Sequence, residues 1–230
     1  MTESYMTYCV VDSDRLVPEG IVGLHGGAVT NLPYQEIGVA VSALPRPVGD
    51  IVAGAVAHEA VVERLMKAHT VLPMRFPTVF SGRQAILTMM AAHYDSFQNN
   101  LLRLRGRVEF GVRVLWPETT IEAQKRDARA MSGTRYMQER YRLHRCRRTL
   151  QERAVQFNRA LDASLSERAS AKKVRNLVTD ALVFDGVYLV DKAEEDSFRR
   201  AFADVRKDDP GLKYLLSGPW PPYNFVEAFE

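Results

Sequence analysis

Arg107-Val108-Glu109-Phe110-Gly111-Val112-Arg113-Val114-Leu115-Trp116 is the cleanest alternating stretch of the 230 residues. Val108, Phe110, Val112 and Val114 face one way, Glu109 and Arg113 the other. That period of two is the pattern of a half-buried strand. Gly106, immediately before it, stops a helical pattern and marks the division of the chain. Residues 1–105 read as an N-terminal α+β domain, and residues 106–230 as a second, ferredoxin-like domain.

The second half follows from that strand. From about Glu118 to Lys173 there is no proline and one glycine, Gly133. Leu143, Cys146, Leu150, Ala154, Phe157, Leu161 and Leu165 recur at steps of three and four. They describe a long amphipathic helix, or two helices meeting near Gly133. Ala181–Val190 reads as a strand pair or one bulged strand around Asp185-Gly186, a favoured hairpin pair. Glu194–Lys207 presents Phe198, Phe202 and Val205 at helical spacing, and Leu212–Leu216 is a last strand. Strand, long helix, strand pair, helix, strand suits an antiparallel sheet with helices on one face.

The first half begins with a β-rich run, Tyr5–Val11. Ala28–Tyr34 and Ile37–Ser42 form two strands around a turn. Asp50 caps a helix reaching about Ala68, with Val52, Val56, Val62, Leu65 and Met66 as its apolar positions. Val71–Phe80 carries Pro73 and Pro77 and is an edge strand or extended connector. Ser81 caps a second helix through about Arg105, with Ile86, Leu87, Met90, Phe97, Leu101 and Leu104.

Composition narrows the function. Apolar residues make up 46% and charged residues 26%, with a net charge of +3, as expected of a globular chain that is no polycation. No apolar run approaches membrane-spanning length, and the N-terminal residues lack a signal-peptide pattern. Cytoplasmic residence with reduced thiols is the expectation, and Cys9, inside an apolar strand, reads as a buried structural thiol.

The chemical motifs fail one by one. His58-Glu59 opens like a zinc-protease helix, but Val62 stands where the second histidine is needed. His69, eleven residues after His58, is about three turns away, too far to share an ion. Gly49–Gly54 has phosphate-loop glycine spacing without the lysine that meets phosphate charge. No catalytic, metal or cofactor constellation is found.

Two further features suggest binding. Arg140, Arg142, Arg145, Arg147 and Arg148 make a basic face on the long helix, suited to an acidic partner or to nucleic acid. The other is the arm Ser217-Gly218-Pro219-Trp220-Pro221-Pro222-Tyr223-Asn224-Phe225-Val226. Its prolines exclude a helix and a central strand. Pro219, Trp220, Pro221, Pro222 and Tyr223 then read as a stiff aromatic latch locking across the joint between the two parts, or as a partner contact.

Several segments, in order, resemble the gas vesicle protein F/L family, the GvpF/GvpL accessory proteins. They are Tyr34–Ser42, His58–Glu63 through Val71–Phe80, Leu104–Val112, Val187–Lys192 and the closing arm. Pro77 departs from the pattern, which usually has glycine after the Arg75-Phe76 pair. The resemblance implies a two-domain α+β protein with a ferredoxin-like C-terminal part. It implies a non-enzymatic accessory role in building gas vesicles, in the cytoplasm and on the vesicle. It also implies binding to the small hydrophobic wall protein and other gas vesicle accessory proteins, with no cofactor and no membrane. Candidate contacts are Arg75, Phe76, Phe80 and the arm, with Arg75 alternatively paired to a core carboxylate. The alternative function is a nucleic-acid-binding regulator using the arginine face.

Overall fold

The structure is a computed structural model that describes residues 3–14, 18–117, 154–175, 179, 181–208 and 210–227. The chain is α+β, with two four-stranded sheets and packed helices. It divides into two compact units, residues 1–108 with 220–230, and residues 109–219.

The first unit holds β1 (Ser4–Val11), a 3-10 turn (Leu24–Gly26), β2 (Thr30–Tyr34), β3 (Ile37–Ala43), α1 (Ile51–Met66), β4 (Val71–Ser81), α2 (Arg83–Ala92) and α3 (Tyr94–Leu104). Its sheet order is β2-β3-β1-β4, antiparallel throughout. β1 and β3 are central and buried almost end to end. Strands covered on both faces read as continuous apolar runs rather than alternating ones. A bulge at Tyr8 shifts the register of β1. Met6 before it, Tyr8 at it, and Cys9 and Val11 after it consequently join one cluster with Val61, Val62 and Leu65 of α1. Asp50 caps α1 as expected, accepting from the Val52 and Ala53 amides at 2.8 and 3.1 Å.

Three expectations need correction here. Val52 and Val56 do not face the core: α1 buries Gly54, His58, Val61, Val62 and Leu65 instead. A helix with apolar residues on several faces has no unique stripe, and the sheet chose the other side. The helix expected from Ser81 to Arg105 is two helices, separated at His93 (φ −120°, ψ 17°). Ser81 ends β4 rather than capping α2, and Gly82 (φ 88°) makes the turn between them.

The second unit takes up β5 (Arg107–Leu115) from Glu109 onward. Then come a helix over 154–166, here α4, β6 (Ala171–Arg175), β7 (Leu182–Asp191), α5 (Glu195–Asp208) and β8 (Lys213–Trp220). The sheet order is β6-β7-β5-β8. Phe110 of β5 stacks on Phe198 of α5 with ring centroids 5.1 Å apart, and Ala154, Leu161 and Leu165 of α4 are buried.

β6 was not expected: residues 171–173 had read as the end of the helix. Pairing with β7, from Ala171↔Leu189 to Arg175↔Asp185, overrides the local pattern. Asp185-Gly186 is no turn, because β7 runs straight through it. A Cβ on Gly186 would lie 2.9 Å from Phe184 and 3.3 Å from Tyr188, so the glycine leaves room for two buried rings. β8 extends beyond Leu216 and includes Pro219, which an edge strand tolerates.

Candidate functional site

Among the described residues of the first unit, a run of apolar side chains faces solvent on α1. Ile51, Val52 and Val56 are 57, 74 and 66% exposed. Ala53 and Ala60 are exposed as well. Val52, Val56 and Ala60 follow at intervals of four and so share one face. Exposed single apolar residues are ordinary, but a contiguous helical stripe marks a contact surface. The sequence had placed Val52 and Val56 inside. The missed signal is Gly54, whose bare Cα lets Phe76 pack against α1: a Cβ there would sit 2.6 Å from Phe76 Cζ. That close approach fixes which side of α1 faces inward.

β4 carries the first group of candidate residues. It is an edge strand, with Arg75, Pro77, Val79 and Ser81 exposed and Met74, Phe76, Thr78 and Phe80 half-buried. Arg75 is exposed and enters no ion pair among the described residues, so the core pairing is not formed. Its carbonyl accepts from Thr78 Oγ1. Phe76 sits edge-on to His58 at 5.6 Å, and His58 stacks on Tyr8 at 5.2 Å. His58 is bonded to the Thr7 backbone, yet burial holds its pKa below the ordinary imidazole value.

The arm forms the second group, and it closes on α1 and α3 of the same unit. Pro221 and Pro222 are buried. The Tyr223 hydroxyl donates to Glu59 Oε2 at 2.6 Å. Burial pushes the Glu59 carboxyl up, the Tyr223 bond opposes that, and the neighbouring Glu63 adds to it. The Tyr223 phenol is raised by its own burial and by the bond to Glu59. Phe225 is 4% exposed. Its carbonyl accepts from the Arg103 guanidinium, and the Glu227 amide donates to Asn100 Oδ1 at 3.0 Å. Trp220 stays 37% exposed, so the fully buried ring of this segment is Phe225 rather than either ring of the expected latch.

The remaining candidates separate cleanly. Arg140, Arg142, Arg145, Arg147 and Arg148 lie outside the described residues. Cys9 is buried, which pushes its thiol far above the ordinary range. His58 and His69 are both buried on different partners, His69 lying 3.7 Å from Asp12. Among the described residues no group of three or more His, Cys, Asp or Glu could hold a metal ion, and no helix is long and apolar enough to cross a membrane.

Two antiparallel sheets with packed helices, a helix exposing aliphatic side chains and a tied-down proline arm define an α+β protein with a surface suited to contact. The family model for the gas vesicle synthesis proteins GvpL/GvpF matches residues 5–227, and the chain belongs to that family. It is 29% identical to gas vesicle protein L of Streptomyces sp. (strain CB03234), covering 94% of this chain and 90% of that protein. It is 27% identical to gas vesicle protein F1 of Halobacterium salinarum, covering 99% and 94%. The crystal structure of the gas vesicle protein GvpF from Anabaena sp. PCC7120 superposes with a TM-score of 0.81. It has 18% identity and covers 99% of this chain and all of that one.

Proposed function

We propose that this protein is a non-enzymatic accessory factor of gas vesicle assembly. It binds the small hydrophobic wall protein in the cytoplasm and stays with the vesicle as a minor component. The observation that carries the reading is the exposed aliphatic face of α1, Ile51, Val52 and Val56, on a chain of the GvpL/GvpF family. An apolar subunit awaiting assembly needs its surface covered, and such a stripe offers apolar area for the purpose. The outward side of β4, with Arg75 beside half-buried Phe76 and Phe80, extends the contact. The arm is a latch that fixes α1, and partner contact falls to exposed Trp220. In this reading the two compact units are two domains, and the second is ferredoxin-like, from its β-α-β-β-α-β succession. Other gas vesicle accessory proteins are the further partners.

Co-purification with the wall subunit tests the proposal. Wild type is expected to retain that subunit and delay its aggregation, and Val52→Glu/Val56→Glu to lose both without unfolding. A wild-type protein that neither retains the subunit nor delays its aggregation would sink the binding reading. Full retention by the double variant would remove α1 from it.

A further inference from the structure

The outward ridge of α1 does not end with its aliphatic residues. Val52, Val56 and Ala60 follow at steps of four, the same step reaches Arg64, and Lys67 lies three residues further. Arg64 and Lys67 are exposed and enter no ion pair among the described residues. The acidic residues of the helix, Glu59 and Glu63, are half-buried on the flank towards the arm, where Glu59 accepts from Tyr223. The open face of α1 therefore has an apolar first half and a cationic end. From Arg64 back to Val56 and to Val52 is about 12 and 18 Å along the axis.

The face restricts what can lie on it. The side of a helix offers no free backbone donors or acceptors, so a segment that covers it must satisfy its own backbone bonds. A helix does so, and an extended strand does not. Exposed Ala53 and Ala60 beside the two valines leave grooves for the side-chain ridge of a second helix. A second copy of this chain fits poorly. Antiparallel pairing that sets Val56 on Val56 and Val52 on Ala60 carries Arg64 and Lys67 towards Pro45–Val48 of the other copy, where exposed Arg46 adds a like charge.

We propose that the α1 face takes an amphipathic helix of another protein, antiparallel to α1, with carboxylates in its first turn and aliphatic side chains two and three turns further on. The carboxylates meet Arg64 and Lys67, and the aliphatic side chains cover Val56 and Val52. Antiparallel placement also sets the positive end of that helix beside the negative end of α1. The inference rests on the reading of α1 as the contact surface, and adds the chemistry and direction of what binds there.

Fluorescence anisotropy on the full chain tests it, with the probe Glu-Glu-Gln-Ala-Leu-Gln-Ala-Leu-Ala-Gln-Gln-Leu-Ala-Gln-Ala carrying its fluorophore at the C-terminal end. One companion begins with Lys-Lys, and another moves the Glu pair to the far end. The first probe is expected to bind at least about tenfold tighter than either companion. Arg64→Gln/Lys67→Gln should abolish the preference, and Arg64→Glu/Lys67→Glu should turn it towards Lys-Lys, both with the fold retained by circular dichroism. Cations that serve only the dipole of α1 would change thermal unfolding in these variants and leave the probe preference untouched. Equal binding of the three probes, no binding at millimolar protein, or a preference unchanged in both double variants overturns the proposal. Binding to phosphatidylglycerol vesicles that the Gln variant abolishes, without discrimination among the probes, overturns it in favour of an anionic surface. The wall subunit is assayed separately. Its retention by wild type and Gln variant alike, with equal probes, overturns this inference alone. Probe discrimination without any retention supports it and sinks the wall-protein reading.

Discussion

The Tyr223 hydroxyl donates to Glu59 across 164 residues of sequence, at 2.6 Å. The bond joins the proline arm to α1, the helix that carries the candidate aliphatic face. It therefore couples the stability of the arm to the position of the candidate contact surface.

Removing the donor measures that coupling. Tyr223→Phe keeps the ring and leaves the half-buried Glu59 carboxyl without its partner. A loss of about 1–3 kcal/mol is expected, or roughly 2–12 °C in thermal unfolding for a chain of this size. Glu59 also contributes a pH dependence. Its folded pKa is raised, so the folded state favours the protonated form. That contribution is fully present below the unfolded value of 4.5 and is lost as pH rises from there through the raised folded pKa. Glu59→Gln should remove that part of the profile.

His58 gives the opposite dependence. Its pKa is lowered in the fold from 6.5, so the unfolded chain binds more protons as pH falls below that value. Stability present above pH 6.5 is lost on acidification, with a slope approaching about 1.4 kcal/mol per pH unit. Denaturant titrations from pH 7.5 to 5 should show the slope in wild type. In His58→Phe, which keeps the rings of Tyr8 and Phe76 packed, it should flatten.

Two glycines of the second sheet should behave differently when replaced by alanine. Gly218 has φ of 113°, and a Cβ there would lie 2.6 Å from the Glu109 carbonyl oxygen. Backbone cannot move aside, so Gly218→Ala should cost about 2 kcal/mol or more. Gly111 would meet only Ser217 Oγ, at 2.7 Å, and a hydroxyl can rotate away. Gly111→Ala should stay within about 1 kcal/mol by urea unfolding.

Cys9 should resist modification. Buried in the core and held as a thiol by that burial, it should react with iodoacetamide only after denaturant is added. Mass mapping of the labelled peptides distinguishes it from Cys146. Rapid labelling of Cys9 in the native protein would contradict the packing around β1.

Much of the frame was legible in the sequence because it rests on local signals. β5 announces itself by alternation, α1 by its Asp50 cap, and the β2–β3 hairpin by its turn. What escaped depends on distant partners. Ala171–Arg175 continues a helical composition and becomes a strand only because β7 pairs with it. Asp185-Gly186 has the letters of a turn, but its glycine serves Phe184 and Tyr188. On the candidate surface, Val52 and Val56 looked like core because the apolar spacing of α1 admits more than one inward face. Phe225 escaped because the prolines and Trp220 drew the reading to the middle of the arm.

The ties of Phe225 and Glu227 to Arg103 and Asn100 have one last consequence, for the order of synthesis. The first compact unit is discontinuous, because residues 220–227 complete it after residues 109–219 have been made. On the ribosome, α3 must wait with Asn100 and Arg103 uncovered until the closing segment emerges. The second unit, continuous in the chain, can fold during that wait. An attachment or deletion near Phe225 should thus disturb α3, made more than a hundred residues earlier, rather than the residues next to it.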